Sequence, residues 1–188
     1  MLRSDIRDIL SAMKNIKAIF LDRDGIINED KHYVFKIDDF EFKKGLFDLC
    51  KYLIELDYLL VIITNQSGIS RGYFAESDFH LLNDWMLMKF NNNDVDVAAV
   101  YYCPHLPKDN CNCRKPATGL VFEARDQFNI DLSQSWIIGD KGSDIELGVN
   151  AKIGGKILLR SEYVTLKQTG YADYVVNELA EIQEIILN

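Results

Sequence analysis

The sequence predicts an α/β protein on a doubly wound, Rossmann-like, mainly parallel sheet, and three observations carry that prediction. From Lys17 onward, short β-branched runs alternate with helical stretches, the pattern of successive βαβ units with helices on both faces of a sheet. Each of the first four predicted strands runs straight into a loop rich in Asp, Asn, Thr, Cys, Gly or Lys, and in an open α/β sheet such loops meet at the carboxyl edge. The length of 188 residues, 48% of them hydrophobic, suits one domain with a sizeable core and falls short of two.

In chain order, residues 1–14 read as an amphipathic helix that Ser4 can cap, with Ile6, Ile9, Leu10 and Met13 at helical spacing. This gives an N-terminal helical extension over 1–15 ahead of a single domain over 16–188. Strands are predicted at 18–21, 59–63, 97–102, 136–138 and 156–159, with 172–176 as a sixth. Helices are predicted at 45–56, 76–91, 119–129, 143–150 and 179–187. There is no internal repeat and no low-complexity linker, only a polar break at 91–94.

The formal charge of -8 and pI near 4.9 argue against nucleic acid and anionic membranes as partners, since an acidic surface repels both. An anionic ligand must therefore meet a focused cationic pocket. No stretch approaches the roughly 18 apolar residues of a membrane span, and no basic start leads into an apolar run, so a cytoplasmic protein is expected. Three of the four cysteines crowd into eleven residues beside a histidine, which without a secretion signal reads as metal binding before disulfide. Cys50 stands apart in a helical pattern and is assigned to the core.

The first loop carries Asp22-Arg23-Asp24-Gly25, two carboxylates two residues apart at a strand end. Like charges this close raise each other's pKa and draw in a hard cation, which suits a magnesium site with one acid ionised and the other able to carry a proton. That division fits phosphoryl transfer: Asp22 as nucleophile, Asp24 as acid to the leaving oxygen and base to the attacking water. Gly25 lets the chain turn away. On its own the motif reads as well as a solvated, Asp-capped turn. The second loop, Thr64-Asn65-Gln66-Ser67-Gly68, offers a hydroxyl and backbone N–H groups to phosphoryl oxygens, or is an ordinary capped loop.

The third loop has the spacing Cys-x-His-x5-Cys-x-Cys over Cys103, His105, Cys111 and Cys113. Three thiolates and an imidazole suit a closed tetrahedral zinc site, structural because no position is left open; a disulfide or inert buried thiols are the alternatives. Arg114 and Lys115 follow at once, so a stiffened loop would hand two cations to the site, Arg able to clasp phosphate bidentately and Lys acting as a point charge. The fourth loop, Gly139-Asp140-Lys141-Gly142-Ser143-Asp144, offers Asp140 as a further magnesium ligand and Lys141 to substrate. Asp144 fits either a first-turn acid on a helix dipole or an outer partner of the metal.

With these loops in order the sequence resembles the haloacid dehalogenase phosphatases. It resembles most of all, from about Lys17 to the C-terminus, the D-glycero-D-manno-heptose 1,7-bisphosphate 7-phosphatases. Asp22, Asp24, Thr64, Lys115 and Asp140 match the motifs of the superfamily. The runs Thr64-Asn65-Gln66-Ser67-Gly68-Ile69 with Arg71-Gly72, Tyr101-Tyr102-Cys103-Pro104-His105 and Cys113-Arg114-Lys115-Pro116 match the narrower family.

The resemblance implies a haloacid dehalogenase fold without a large cap domain, with magnesium held at Asp22, Asp24 and Asp140 and zinc in a loop over 103–113. It implies that Asp30, Lys31, His32 and Tyr33 close over the sugar, and that Thr64, Asn65, Gln66, Ser67, Arg71, Arg114, Lys115 and Lys141 bind substrate. The partner it implies is a small sugar bisphosphate, handled by a monomer between an anomeric kinase and a nucleotidyltransferase in nucleotide-heptose synthesis for lipopolysaccharide or a surface polymer. Three departures stand out: Ile26 in place of the family's usual threonine, a short connection from His105 to Cys111, and drift over 147–151. The rival readings are a histidinol-phosphate phosphatase, disfavoured by paired cations where a cationic amine wants a carboxylate, and a polynucleotide 3′-phosphatase, disfavoured by the acidic charge. A phosphate-accepting receiver domain would lack the second acid, and a structural zinc module would leave the acids unexplained.

Overall fold

The apolar run Ala18–Leu21 forms β1, every residue of it buried, which only the centre of a sheet covered on both faces allows. The computed structural model describes residues 16–161 and 170–187; the helix predicted at 1–14 lies outside them. Five further strands, β2 (Leu59–Asn65), β3 (Ala99–Cys103), β4 (Trp136–Gly139), β5 (Gly155–Leu159) and β6 (Tyr174–Val176), join β1 in one sheet of order β3-β2-β1-β4-β5-β6. Every pairing is parallel, with Phe20 opposite Val61 on one side and Ile137 on the other. The predicted α/β, doubly wound sheet is thus observed, and the chain winds outward in both directions from β1, leaving a crevice beyond the carboxyl ends of β1 and β4.

The helices are α1 (Leu46–Glu55), α2 (Glu76–Asn91), α3 (Gly119–Phe128), α4 (Gly142–Asn150) and the short α5 (Ile182–Ile185). Alternate side chains of β1 point to opposite faces. Ile19 and Leu21 pack with Leu49 and Leu53 of α1, Met86 of α2 and Ile182 of α5. Ala18 and Phe20 pack with Val121 and Ala124 of α3 and Leu147 of α4. Full burial of one such large side chain contributes about 1.5–3 kcal/mol. Helix α1 buries Leu46, Leu49, Cys50 and Leu53, the stripe its spacing predicts, and the chain leaves it through Asp57 in the left-handed region. Asn129 ends α3 in the same conformation. Cys50 is core, as expected, and Ile26 is fully buried there too, so the residue that departs from the family's threonine serves as apolar filling.

Boundaries shift where polar residues continue a strand. Strand β2 runs two residues past its predicted end, because Thr64 and Asn65 still pair with Tyr102 and Cys103. Strand β3 accordingly starts at Ala99 instead of 97 and ends on Cys103. The predicted helix at 179–187 is a 3-10 turn, Leu179–Glu181, leading into α5. Among the described residues no helix is long and apolar enough to cross a membrane.

Candidate active site

The acids after β1 and β4 are placed by the sheet itself. The N–H of Asp22 donates to Ile138 O at 3.1 Å, so pairing with β4 runs one residue beyond β1 and brings Asp22 beside the loop that carries Asp140. One carboxylate oxygen from each of Asp22, Asp140 and Asp144 lies within 4.8 Å of the others, and all three residues are buried. Two glycines make this approach possible. A Cβ on Gly25, whose φ is +100°, would sit 2.2 Å from Asp140 Oδ2, and one on Gly139 would sit 2.2 Å from Asp144 Cβ.

Lys115 closes the group. Its ammonium lies 2.7 Å from both Asp22 Oδ1 and Asp144 Oδ1 and donates to Ile63 O at 2.9 Å. Burial alone would lower its pKa, but the charges of Asp144 and Asp22 outweigh that and raise it. Burial pushes the Asp22 carboxyl up to about 6 despite Lys115, with repulsion from Asp144 adding to the rise. Asp140 rises to about 7 through burial and repulsion from Asp22. Its Oδ1 is buried without a hydrogen-bond partner. Crowded carboxylates, one with an oxygen that has no hydrogen bond and only a 3.7 Å ion pair to Lys141 Nζ, fit a hard divalent cation.

Asp144 fills the first of its two predicted roles and adds another: Oδ2 accepts from Lys141 N at the start of α4, and Oδ1 holds Lys115. Asp24, which the resemblance groups with the metal acids, sends its carboxylate to other partners. Oδ1 accepts from Arg23 Nη2 at 2.9 Å and Asn28 Nδ2 at 3.0 Å, and Oδ2 from Arg23 Nη2 at 3.0 Å and Gln66 Nε2 at 2.9 Å. Its burial would raise the pKa, but the Arg23 charge and these hydrogen bonds hold it below the usual carboxylate range.

A cavity of about 280 Å³ is lined by Asp22, Asp24, Thr64 and Lys115, with Asp22, Thr64 and Lys115 themselves buried, while Asp140 and Asp144 lie outside the lining. Asp30, His32 and Tyr33 form one wall, Asn65, Gln66 and Ser67 another, and Arg114 and Lys141 supply cationic heads. His32 and Tyr33 both have positive φ, and Asp30 sets that turn by accepting from His32 N at 3.0 Å while pairing with Lys141 Nζ at 2.8 Å. Two predicted substrate residues lie outside the lining. Lys31 is exposed and paired with Glu41 at 3.0 Å, and Arg71 is exposed. Ser143 lines the cavity and was not singled out by the sequence, where it reads as a helix-starting serine like any other.

The third loop gathers Cys103, His105, Cys111 and Cys113, their ligand atoms all within 4.8 Å. The Sγ–Sγ separations are 3.0, 3.3 and 3.5 Å, and His105 Nδ1 lies 3.1 Å from Cys113 Sγ. A disulfide would need about 2.05 Å, whereas a tetrahedral zinc with bonds of about 2.3 Å spaces its sulfurs roughly 3.8 Å apart. The cluster therefore has the donors and nearly the span for a metal. Asn65 ties it to the site: its Oδ1 accepts from Lys115 N at 3.0 Å and its Nδ2 donates to Lys115 O at 3.3 Å.

A family model described as HAD-hydrolase-like matches residues 112–182. The crystal structure of D,D-heptose 1,7-bisphosphate phosphatase from B. bronchiseptica, complexed with magnesium and phosphate, superposes with a TM-score of 0.81 at 30% identity, over 90% of this chain and 97% of that one. Fold and site together define a phosphatase of the haloacid dehalogenase type. D-glycero-alpha-D-manno-heptose-1,7-bisphosphate 7-phosphatase of Campylobacter jejuni is 53% identical over 146 residues, 78% of this chain and 84% of that protein, and the beta-anomer enzyme of Escherichia coli is 42% identical over 92% of this chain and 95% of its own. The chain belongs to this family of heptose bisphosphate 7-phosphatases.

Proposed function

We propose that this protein removes the 7-phosphate of D-glycero-D-manno-heptose 1,7-bisphosphate, releasing heptose 1-phosphate and inorganic phosphate, through an aspartyl-phosphate on Asp22. The observation that carries the reading is the convergence of Asp22, Lys115 and Asp140, from three separate loops, on one buried point. Asp22 and Asp140 would hold magnesium, which when bound supplies positive charge against the phosphoryl oxygens.

Asp22 attacks phosphorus as the bond to the sugar oxygen breaks, and the sugar oxygen takes a proton from Asp24. The incoming phosphate dianion, placed beside Asp24, favours its protonated form and so counters the pull of Arg23. Thr64 and the backbone N–H groups after it receive the phosphoryl oxygens, and Lys115 balances the charge that Asp22 loses and regains. Asp24, left ionised, then takes a proton from the water that attacks the aspartyl-phosphate. Arg114 and Lys141 face the far end of the substrate, where a second phosphate suits two cations. Cys103, His105, Cys111 and Cys113 would hold a structural zinc. The enzyme would act as a cytoplasmic monomer in the supply of nucleotide-activated heptose for surface polysaccharide.

The test is a kinetic comparison of heptose 1,7-bisphosphate with histidinol phosphate. A kcat/KM higher by at least about 100-fold for the bisphosphate is expected, since a site with two cations loses charge-assisted bonds with the other substrate. Equal rates would overturn the substrate assignment. Asp22→Asn should abolish phosphate release in a folded protein; normal turnover by that variant would overturn the mechanism.

A further inference from the structure

Arg23 is among the most buried large side chains of the molecule, 1% exposed, and nothing in the mechanism above uses it. A buried guanidinium is expensive unless it is paired and fully hydrogen-bonded. Its salt-bridge partner is Asp24, clasped through Nη2 at 2.9 and 3.0 Å and Nε at 3.3 Å. The same Nη2 donates to Val34 O at 2.8 Å, and the guanidinium lies 5.9 Å from the centre of the Phe79 ring on α2. One cation thus spans three pieces of the protein: the carboxylate, the segment that leads away from the His32 and Tyr33 wall, and a helix of the core.

We propose that Arg23 is a positioning residue for the acid–base step, holding the Asp24 carboxylate at the height and orientation from which it reaches the ester oxygen. The proposal rests on the reading of Asp24 as acid and base. Asn28 and Gln66 fix the carboxylate from two sides, but both are neutral single donors, and neither can replace a forked, charged clamp. With the clamp gone, only the two neutral donors Asn28 and Gln66 would resist rotation of the short Asp24 side chain about its χ1 bond, while the pair of Asp22 and Lys115 would keep its own contact.

A positioning role through Asp24 leaves a signature that general damage does not. An alkyl phosphate must have its leaving oxygen protonated, whereas p-nitrophenyl phosphate releases a stabilised phenolate that needs no proton. The experiment measures kcat and KM on heptose 1,7-bisphosphate, and the pre-steady-state burst of p-nitrophenolate from p-nitrophenyl phosphate, which reports the first step alone, for wild type, Asp24→Asn, Arg23→Gln and Arg23→Lys with magnesium saturating.

Asp24→Asn should lose about 100-fold or more in kcat on the sugar phosphate, the size of a general acid–base contribution, and far less in the initial burst with the aryl ester. Arg23→Gln should repeat that selectivity with a loss of at least about tenfold on the sugar phosphate and little change in KM, and Arg23→Lys should fall between it and wild type. If Asp24→Asn shows no dependence on the leaving group, the reading of Asp24 falls. If Asp24→Asn shows it and the Arg23 variants lose sugar-phosphate turnover and the aryl burst equally, or lose neither, the Arg23 proposal falls alone. Should Arg23→Gln not fold, Arg23→Lys, which keeps the charge, decides the matter by the same comparison.

Discussion

At Gly25 the backbone turns through the left-handed region with the Asp140 carboxylate resting where a side chain would begin. Gly25→Ala should cost about 1–2 kcal/mol in backbone conformation alone, and it should displace Asp140 as well. We expect a lower urea midpoint together with a much weaker magnesium response, measured by unfolding and by activity titration on one preparation. The acids predict a pH effect of definite sign. Asp22 and Asp140 have folded pKa values near 6 and 7, above the usual 3.8, so between roughly pH 4 and 7 the folded state binds more protons than the unfolded one. Stability of the metal-free protein attributable to these groups therefore falls as pH rises through that window. Asp24, whose pKa is lowered, contributes in the opposite sense and only below that window. Magnesium must displace the protons, so it should raise the melting temperature more at about pH 7.5 than at about pH 5. A calorimetric series with and without the metal checks both signs.

Among the elements, the loop over 103–113 gathers three cysteines and a histidine with only a short 3-10 turn, Pro107–Asp109, as regular structure. Cys111→Ser should remove the metal from the Cys/His cluster, read as loss of about one zinc per chain by metal analysis, and should weaken activity by loosening Arg114 and Lys115. Helix α1 shows the contrasting case: Leu53 is fully buried in the core and lines no part of the cavity, so Leu53→Ala should cost about 2–5 kcal/mol of stability and leave kcat nearly unchanged below the melting range. Strands and helices were legible because their apolar spacing is set by the same faces that pack. The ends of β2 and β3 were not, because Thr64 and Asn65 look like loop residues in sequence while their backbones still pair. Lys31 and Arg71 illustrate a second limit. A cation near a motif reads the same whether it faces a cavity or Glu41, and the choice is made by turns such as that at His32 and Tyr33.

For the molecule as a whole, the gathering of four loops at one edge followed from the parallel strands that alternating βαβ units dictate, since these put all their carboxyl ends together; the clamp of Arg23 on Asp24 and of Asp144 on Lys115 did not, because each depends on side-chain direction within a loop. The acidic surface also has a measurable result. With a net charge of -8, the long-range field opposes an anionic sugar until it reaches Arg114 and Lys141, so moderate salt should leave kcat/KM flat or raise it, in contrast to a basic, steered enzyme. The grip of Asn65 on Lys115 has its own bearing on design. A carboxamide is a peptide group on a short stalk, and by giving and taking one hydrogen bond with a neighbouring residue's main chain it adds a single rung beyond the last one of β2. The lysine that pairs with Asp22 is thus mounted on the central scaffold, although the segment bearing it has no strand or helix of its own.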